Sequence, residues 1–89
     1  MVTKGQIVRS KNGRDAEKFL VVVGFCDGFV LLSDGKERPL ERPKRKNIKH
    51  ISPTNTVLCD GQYKTNRSLR HTLHDYSCGK MIKRSVENG

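Results

Sequence analysis

Hydrophobic residues of this chain fall in short runs that are separated by turn residues. Short segments that contain apolar and β-branched residues lie at 5–10, 19–25 and 29–33, and segments of this length and composition are typical of strands rather than helices. Each run ends in a polar or glycine-containing segment that favours a tight turn. These turns are Asn12-Gly13, Asp27-Gly28 and Asp34-Gly35. The pattern predicts three strands joined by tight turns.

Two further short strands are predicted before residue 54. The first lies around residues 38–41, and Pro39 places it at a sheet edge because proline cannot donate a hydrogen bond to a ladder. A basic connection that begins at Pro43 leads to the second, which spans residues 47–51 and is stopped by Pro53. Five short strands with tight turns predict a mainly β protein, a small barrel rather than βαβ units.

Residues 55–89 are predicted to form a C-terminal extension with a short helix near 66–77. Thr65 or Asn66 can cap the start of this helix. A narrow apolar stripe follows from residues at i, i+4 and i+7, namely Leu69, Leu73 and Tyr76. A helix of this length is marginal in water by itself, so we expect it to dock on the barrel or on a partner.

Charge narrows the class of partner. The chain has 18 Lys and Arg against nine Asp and Glu, a net charge of +9. Such an excess favours polyanions, because neutralised phosphates release condensed counterions. No apolar run approaches the ~20 residues that span a bilayer, so no membrane association is predicted. The N-terminal residues contain no apolar leader segment, which predicts a cytoplasmic protein with reduced cysteines.

Several motifs of the first half occur in the order found in a known RNA-binding domain. They are Gly5-Gln6-Ile7-Val8, the Gly-Arg-Asp-Ala-Glu-Lys segment at 13–18, the Asp27-Gly28 turn and the segment 47–54. With these motifs, residues 3–54 resemble a KOW domain of the kind found in large-subunit ribosomal proteins of archaea and eukaryotes and in small bacterial relatives. The resemblance implies an SH3-like five-stranded barrel that binds RNA.

Two basic clusters are candidates for the RNA-binding surface. One lies in the loop 11–18, where Gly13 can adopt a positive φ and Arg14 can grip a phosphate with a bidentate fork. The other lies at residues 42–49, and the resemblance implies that the two share one surface. The predicted RNA-binding residues are Arg9, Lys11, Asn12, Gly13, Arg14, Lys18, Arg42, Lys44, Arg45, Lys46, Lys49 and His50.

Aromatic residues are not expected to take part in binding. Phe19, Phe25 and Phe29 lie within strand patterns, so they are predicted to be core residues rather than stacking platforms. Contacts to phosphates alone position a protein without reading sequence. We therefore expect recognition of RNA shape through its backbone.

The sequence gives little support for metal binding or catalysis. Four residues in the second half could in principle bind zinc, namely Cys59, His71, His74 and Cys78. Their spacing matches no compact Cys-x-x-Cys pair, so neither a metal nor another cofactor is predicted. The chain is small for a substrate pocket and has no nucleotide-binding glycine loop, so it is not predicted to be an enzyme.

Two functional hypotheses remain. In the favoured one, the barrel binds structured RNA, above all ribosomal RNA, as a ribosomal or ribosome-associated protein. The alternative is a protein-docking barrel in a translation or transcription complex, with the C-terminal helix contacting the partner protein. The charge of +9 favours RNA, because protein docking needs no such excess. In either case the free protein is predicted to be monomeric.

Overall fold

The computed structural model describes residues 2–11 and 18–79. Its elements are five strands, β1 (Gln6–Ser10), β2 (Phe19–Cys26), β3 (Phe29–Ser33), β4 (Lys44–Asn47) and β5 (Ile51–Val57), and one helix, α1 (Asn66–Ser77). Short 3₁₀ helices at Ile48–His50 and Asp60–Gln62 precede β5 and α1. The strands pair antiparallel in one sheet of order β4-β3-β2-β1-β5. The predicted mainly β, SH3-like barrel fold with a C-terminal helix is confirmed.

A two-residue turn joins β2 to β3, as predicted. Asp27 and Gly28 both have a positive φ, of 49° and 83°, which suits the twist of a tight hairpin. The pairing of Cys26 with Phe29 follows directly from this turn. Further along the hairpin the register shifts between Val22 and Gly24. A bulge of this kind bends a strand, so β2 can take part in the curvature of the barrel.

The central strands are buried on both faces. Successive side chains of a strand point to opposite sides of the sheet, so Ile7 and Val8 lie in different apolar clusters. The inner cluster contains Val2, Val8, Leu20, Val22, Val30, Leu32 and Ile51. The outer cluster contains Ile7, Val21, Leu58, Tyr63, Leu69 and Leu73. The second cluster exists because α1 and the segment before it cover the outer face.

The prediction of a strand around residues 38–41 is wrong. The structure has a loop there, and its backbone N–H groups bond within the loop or to the start of the helix instead of to a neighbouring strand. The Asp34 carboxylate accepts from the N–H groups of Lys36 and Arg38 at 2.8 and 2.9 Å, and the Arg42 N–H donates to the Pro39 carbonyl at 2.9 Å. The fourth strand is β4, which was predicted to be a basic connection.

The last strand also differs from its prediction. The Asn47 side chain accepts from the Lys49 N–H and caps a 3₁₀ turn, so β5 begins only at Ile51. It then continues past Pro53, which was predicted to stop it. Proline is tolerated here because β5 is an edge strand that pairs with β1 alone. The strand therefore ends at Val57.

The start of α1 is fixed to the loop that follows β3. Thr65 caps the helix by accepting from the Ser68 N–H at 3.1 Å, as one of the predicted caps. The Asn66 side chain accepts from the Leu40 N–H at 2.7 Å and donates to the Glu41 carboxylate at 2.9 Å. Gly35 makes this approach possible, because its φ is +78° and a Cβ there would collide with the Asn66 carbonyl.

The apolar stripe of α1 docks on the sheet, as expected for a helix too short to be stable alone. Leu69 is fully buried and Leu73 nearly so. Tyr76 meets the ring of Phe19 edge-on, with centroids 5.1 Å apart, a preferred geometry for aromatic pairs. The helix thus contributes to the same core as β1 and β2.

Truncating the central apolar side chain of the helix should destabilise the fold. Leu69→Ala is expected to cost about 2–5 kcal/mol of unfolding free energy, as for other buried leucines. Urea denaturation followed by circular dichroism measures it. Val57→Ala is the matched control, because Val57 is 53% exposed, and it should cost about 0.5 kcal/mol or less. Equal losses in the two variants would show that Leu69 is not part of the core.

Acid should weaken the attachment of the helix start. The hydrogen bond from Asn66, followed by one from the Glu41 backbone, lowers the pKa of the Glu41 carboxyl below its usual 4.5. A lowered pKa in the folded state means that this stabilisation is present above pH 4.5 and is lost as the pH falls through the folded-state value. The Glu41 carboxyl carbon should therefore titrate by NMR below pH 4.5 in the folded protein, and Glu41→Gln should reduce the acid sensitivity of unfolding. A Glu41 titration at or above the usual value would contradict this contact.

Candidate nucleic-acid interface

The most basic segment of the chain forms an exposed sheet edge. β4 pairs with β3 on one side only, and none of its residues is buried. No acidic residue occurs between Glu41 and Asp60. The cations in and beside this strand are Arg42, Lys44, Arg45, Lys46 and Lys49. Their field is therefore not offset by a carboxylate within the segment, which suits an anionic ligand.

Lys46 connects the edge strand β4 to the end of β1. It lies opposite Val30, on the side of the inner cluster, and its ammonium donates to the Ser10 hydroxyl at 2.8 Å. Ser10 is only 2% exposed, so this contact reaches from β4 into the end of β1. Lys46 therefore has a structural contact as well as its positive charge.

Arg45 points to the other side of the strand. Its guanidinium lies 5.1 Å from the centroid of the Phe29 ring, within range of a cation–π contact. Arg45 as a whole remains exposed. The contact limits where the side chain can go and leaves it accessible to a phosphate.

The turn between β4 and β5 adds further basic groups. The Lys11 N–H donates to the His50 carbonyl at 2.9 Å, which extends the pairing of Ser10 with Ile51. Lys49 belongs to the same turn, and the side chains of Lys11, Lys49 and His50 are exposed. The structure thus brings the end of β1 beside the turn that follows the basic strand.

Other predicted binding residues have different surroundings. Lys18 forms an ion pair with Glu37 at 2.6 Å. Arg9 is exposed and alternates to the same side of β1 as Ile7, away from the Lys46–Ser10 contact. Asn12, Gly13 and Arg14 lie outside the described residues. The residues that the structure brings together are those of β4, the following turn and Lys11.

The prediction that all three phenylalanines are core residues is wrong for Phe25. Its side chain is 55% exposed and that of Ile48 is 42% exposed. Phe25 lies opposite Val30, one pair from the tip of the hairpin. A pocket of about 410 Å³ opens there, lined by Val2, Phe25, Gly28, Phe29, Val30 and Ile48. The sequence did not predict this site, because a strand pattern does not show which of its apolar side chains remain exposed in the fold.

The four candidate zinc ligands do not converge. His74 and Cys78 approach each other, with Nε2 and Sγ 3.7 Å apart, and His71 lies 4.0 Å from the Asp75 carboxylate. Within residues 2–11 and 18–79, no three His, Cys, Asp or Glu side chains group in a way that could hold a metal ion. Over the same part of the chain, no helix is long and apolar enough to cross a membrane.

Comparison with known proteins identifies the family. A scan against models of known protein families gives no match. The chain is, however, 30% identical over 84 residues to the large ribosomal subunit protein eL14 of Sulfolobus acidocaldarius. The matched region covers 93% of this chain and 88% of the relative. The chain therefore belongs to the eL14 family of KOW-bearing large-subunit ribosomal proteins, in agreement with the resemblance seen in its motifs.

Proposed function

We propose that this protein binds structured ribosomal RNA through phosphate contacts made by the edge strand β4 and the turn that follows it. Binding would place it in the ribosome as a component of the translation machinery. The observation that carries the proposal is an exposed basic edge without an acidic residue between positions 41 and 60. Membership of a ribosomal protein family gives independent support.

The proposed surface consists of Lys11, Arg42, Lys44, Arg45, Lys46, Lys49 and His50. Arg42, Arg45 and Lys49 are exposed, whereas Lys44 and Lys46 are partly buried and Lys46 also contacts Ser10. Arginine supplies a planar fork for phosphate oxygens, and lysine a point charge. The loop residues Asn12, Gly13 and Arg14 remain predicted contributors.

The protein-docking alternative receives less support from the structure. It gave α1 a partner-facing role, but the apolar stripe of α1 is already buried against the sheet. The exposed side of the helix carries Arg67, Arg70, His71 and His74, and a basic face fits RNA better than an apolar partner. Contacts of α1 with neighbouring proteins, a monomeric free state and a cytoplasmic location stay predictions.

Salt dependence tests the proposed function. Binding of the full chain to a structured ribosomal RNA fragment should weaken steeply between low and physiological salt, because each phosphate contact releases counterions. Fluorescence anisotropy with a labelled RNA measures the slope of log K against log salt concentration. A slope near zero would exclude phosphate-led binding.

Charge removal at the edge strand tests the location of the surface. The triple variant Arg42→Gln, Arg45→Gln, Lys49→Gln should reduce the salt slope by about 0.7–0.9 for each phosphate that the protein no longer neutralises, and it should weaken binding to many RNA sequences. The matched control is Lys4→Gln, Lys36→Gln, Lys64→Gln, which removes the same charge from other exposed positions. If the control variant loses as much affinity as the first, the surface is not at β4.

A further inference from the structure

The open pocket at the tip of the β2–β3 hairpin lies at the rim of the inner cluster, two of whose members, Val2 and Val30, line it. Five of its six lining residues carry apolar side chains, and two of these, Phe25 and Ile48, are among the exposed large hydrophobic residues of the described chain. Its volume of about 410 Å³ is in the range of small-ligand sites. Phe25 and Ile48 line the pocket together, so their exposed apolar surfaces lie in one place.

The pocket adjoins the basic edge directly. Phe29, in its wall, pairs with Asn47 at the end of β4 and carries the Arg45 guanidinium over its ring. Ile48, which also lines the pocket, is followed at once by the exposed Lys49. Phe25 lies on the side of Val30 and Lys46, whereas Arg45 lies on the other side of the strand, so the pocket reaches Arg45 only across the Phe29 ring. The acidic group of the hairpin turn is the single carboxylate of Asp27.

This combination of groups fits one chemical class of ligand. An unpaired nucleotide has a flat base that stacks on aromatic rings and a phosphate that binds cations. An apolar side chain of a partner protein would fill the pocket but would have no use for the cations beside it. A phosphate in a regular duplex would use the cations and leave the pocket empty.

We propose that the pocket formed by Phe25, Phe29 and Ile48 receives an unpaired RNA base, while Arg45 and Lys49 hold the phosphates on either side of it. The inference rests on the proposed RNA binding and sharpens it, since the protein then selects RNA that presents a splayed-out base beside a helix. Phe25 provides the exposed ring for stacking, and Phe29 provides a ring that also contacts Arg45.

Three RNA hairpins of equal length test the proposal. One is fully paired, the second has a single bulged adenosine, and the third has the same bulge with an abasic residue, which keeps the phosphate and lacks the base. The full chain should bind the adenosine bulge about fivefold or more tightly than the other two, in line with the contribution of one stacked base. Fluorescence anisotropy at fixed salt measures all three affinities.

Variants of the pocket assign the preference to the ring. Phe25→Ala and Phe25→Leu should both abolish the preference for the bulged adenosine and keep the affinity for paired RNA. Phe25→Leu retains apolar volume without the flat ring, so it separates stacking from simple burial. Val57→Ala is the matched control, since Val57 is similarly exposed and lies outside the pocket, and it should keep the preference. Circular dichroism melting verifies that each variant is folded.

Each outcome distinguishes the two proposals. Binding of paired RNA without any preference for the bulged adenosine would overturn the base pocket and leave the phosphate surface standing. An equal preference for the abasic bulge would do the same, because the protein would then recognise the bent helix. A preference that survives both Phe25 substitutions would also overturn the assignment. No binding to any of the three RNAs would overturn the pocket and the proposed function together.

Discussion

Burial of the central strands on both faces is the constraint on which the rest of the structure depends. Ile7 and Val8, as neighbours on β1, are both fully buried although they point to opposite sides of the sheet. A chain of this size buries only a little over about 60% of the surface that it exposes when unfolded, so a single apolar face would leave a thin core. Leu69 of α1 covers the second face of the sheet. Gly35 lets the loop after β3 approach the start of the helix closely enough to hold the helix in place.

Because the core is made by the central strands, the edge strand β4 is free to be polar. Three consecutive cations, Lys44, Arg45 and Lys46, would be costly in a buried strand. At an edge they have a use that is independent of any ligand, since charged side chains discourage edge-to-edge pairing between molecules. That protective effect needs only exposed charge. It does not explain why the strand ends beside an open aromatic pocket, and this juxtaposition favours a ligand.

Local signals were strong enough to predict much of the fold. Asp27-Gly28 predicted the hairpin because its turn chemistry is specific, and the cap at Thr65 with the stripe Leu69 and Leu73 predicted α1. β4 could not be predicted, since a strand with no buried residue leaves no hydrophobic alternation to detect. The extent of β5 depended on its edge position, which makes Pro53 harmless. At the candidate site, sequence indicated the cations of residues 42–49 but not the exposure of Phe25. That exposure depends on how far the inner cluster, on whose side Phe25 lies, extends toward the tip of the hairpin.

The alternation of a strand limits how a basic run can meet RNA. Lys44 and Lys46 lie opposite Leu32 and Val30, whereas Arg45 lies opposite Leu31 on the other side, so no ligand resting on one face of the sheet can touch all three cations. An RNA backbone that uses both sets must approach β4 along its free edge, where the two faces meet. The same edge leads through Asn47 to Ile48 and the pocket. A nucleotide displaced from a helix at that point would enter the pocket without leaving the basic edge, so the proposed phosphate and base contacts would form one surface.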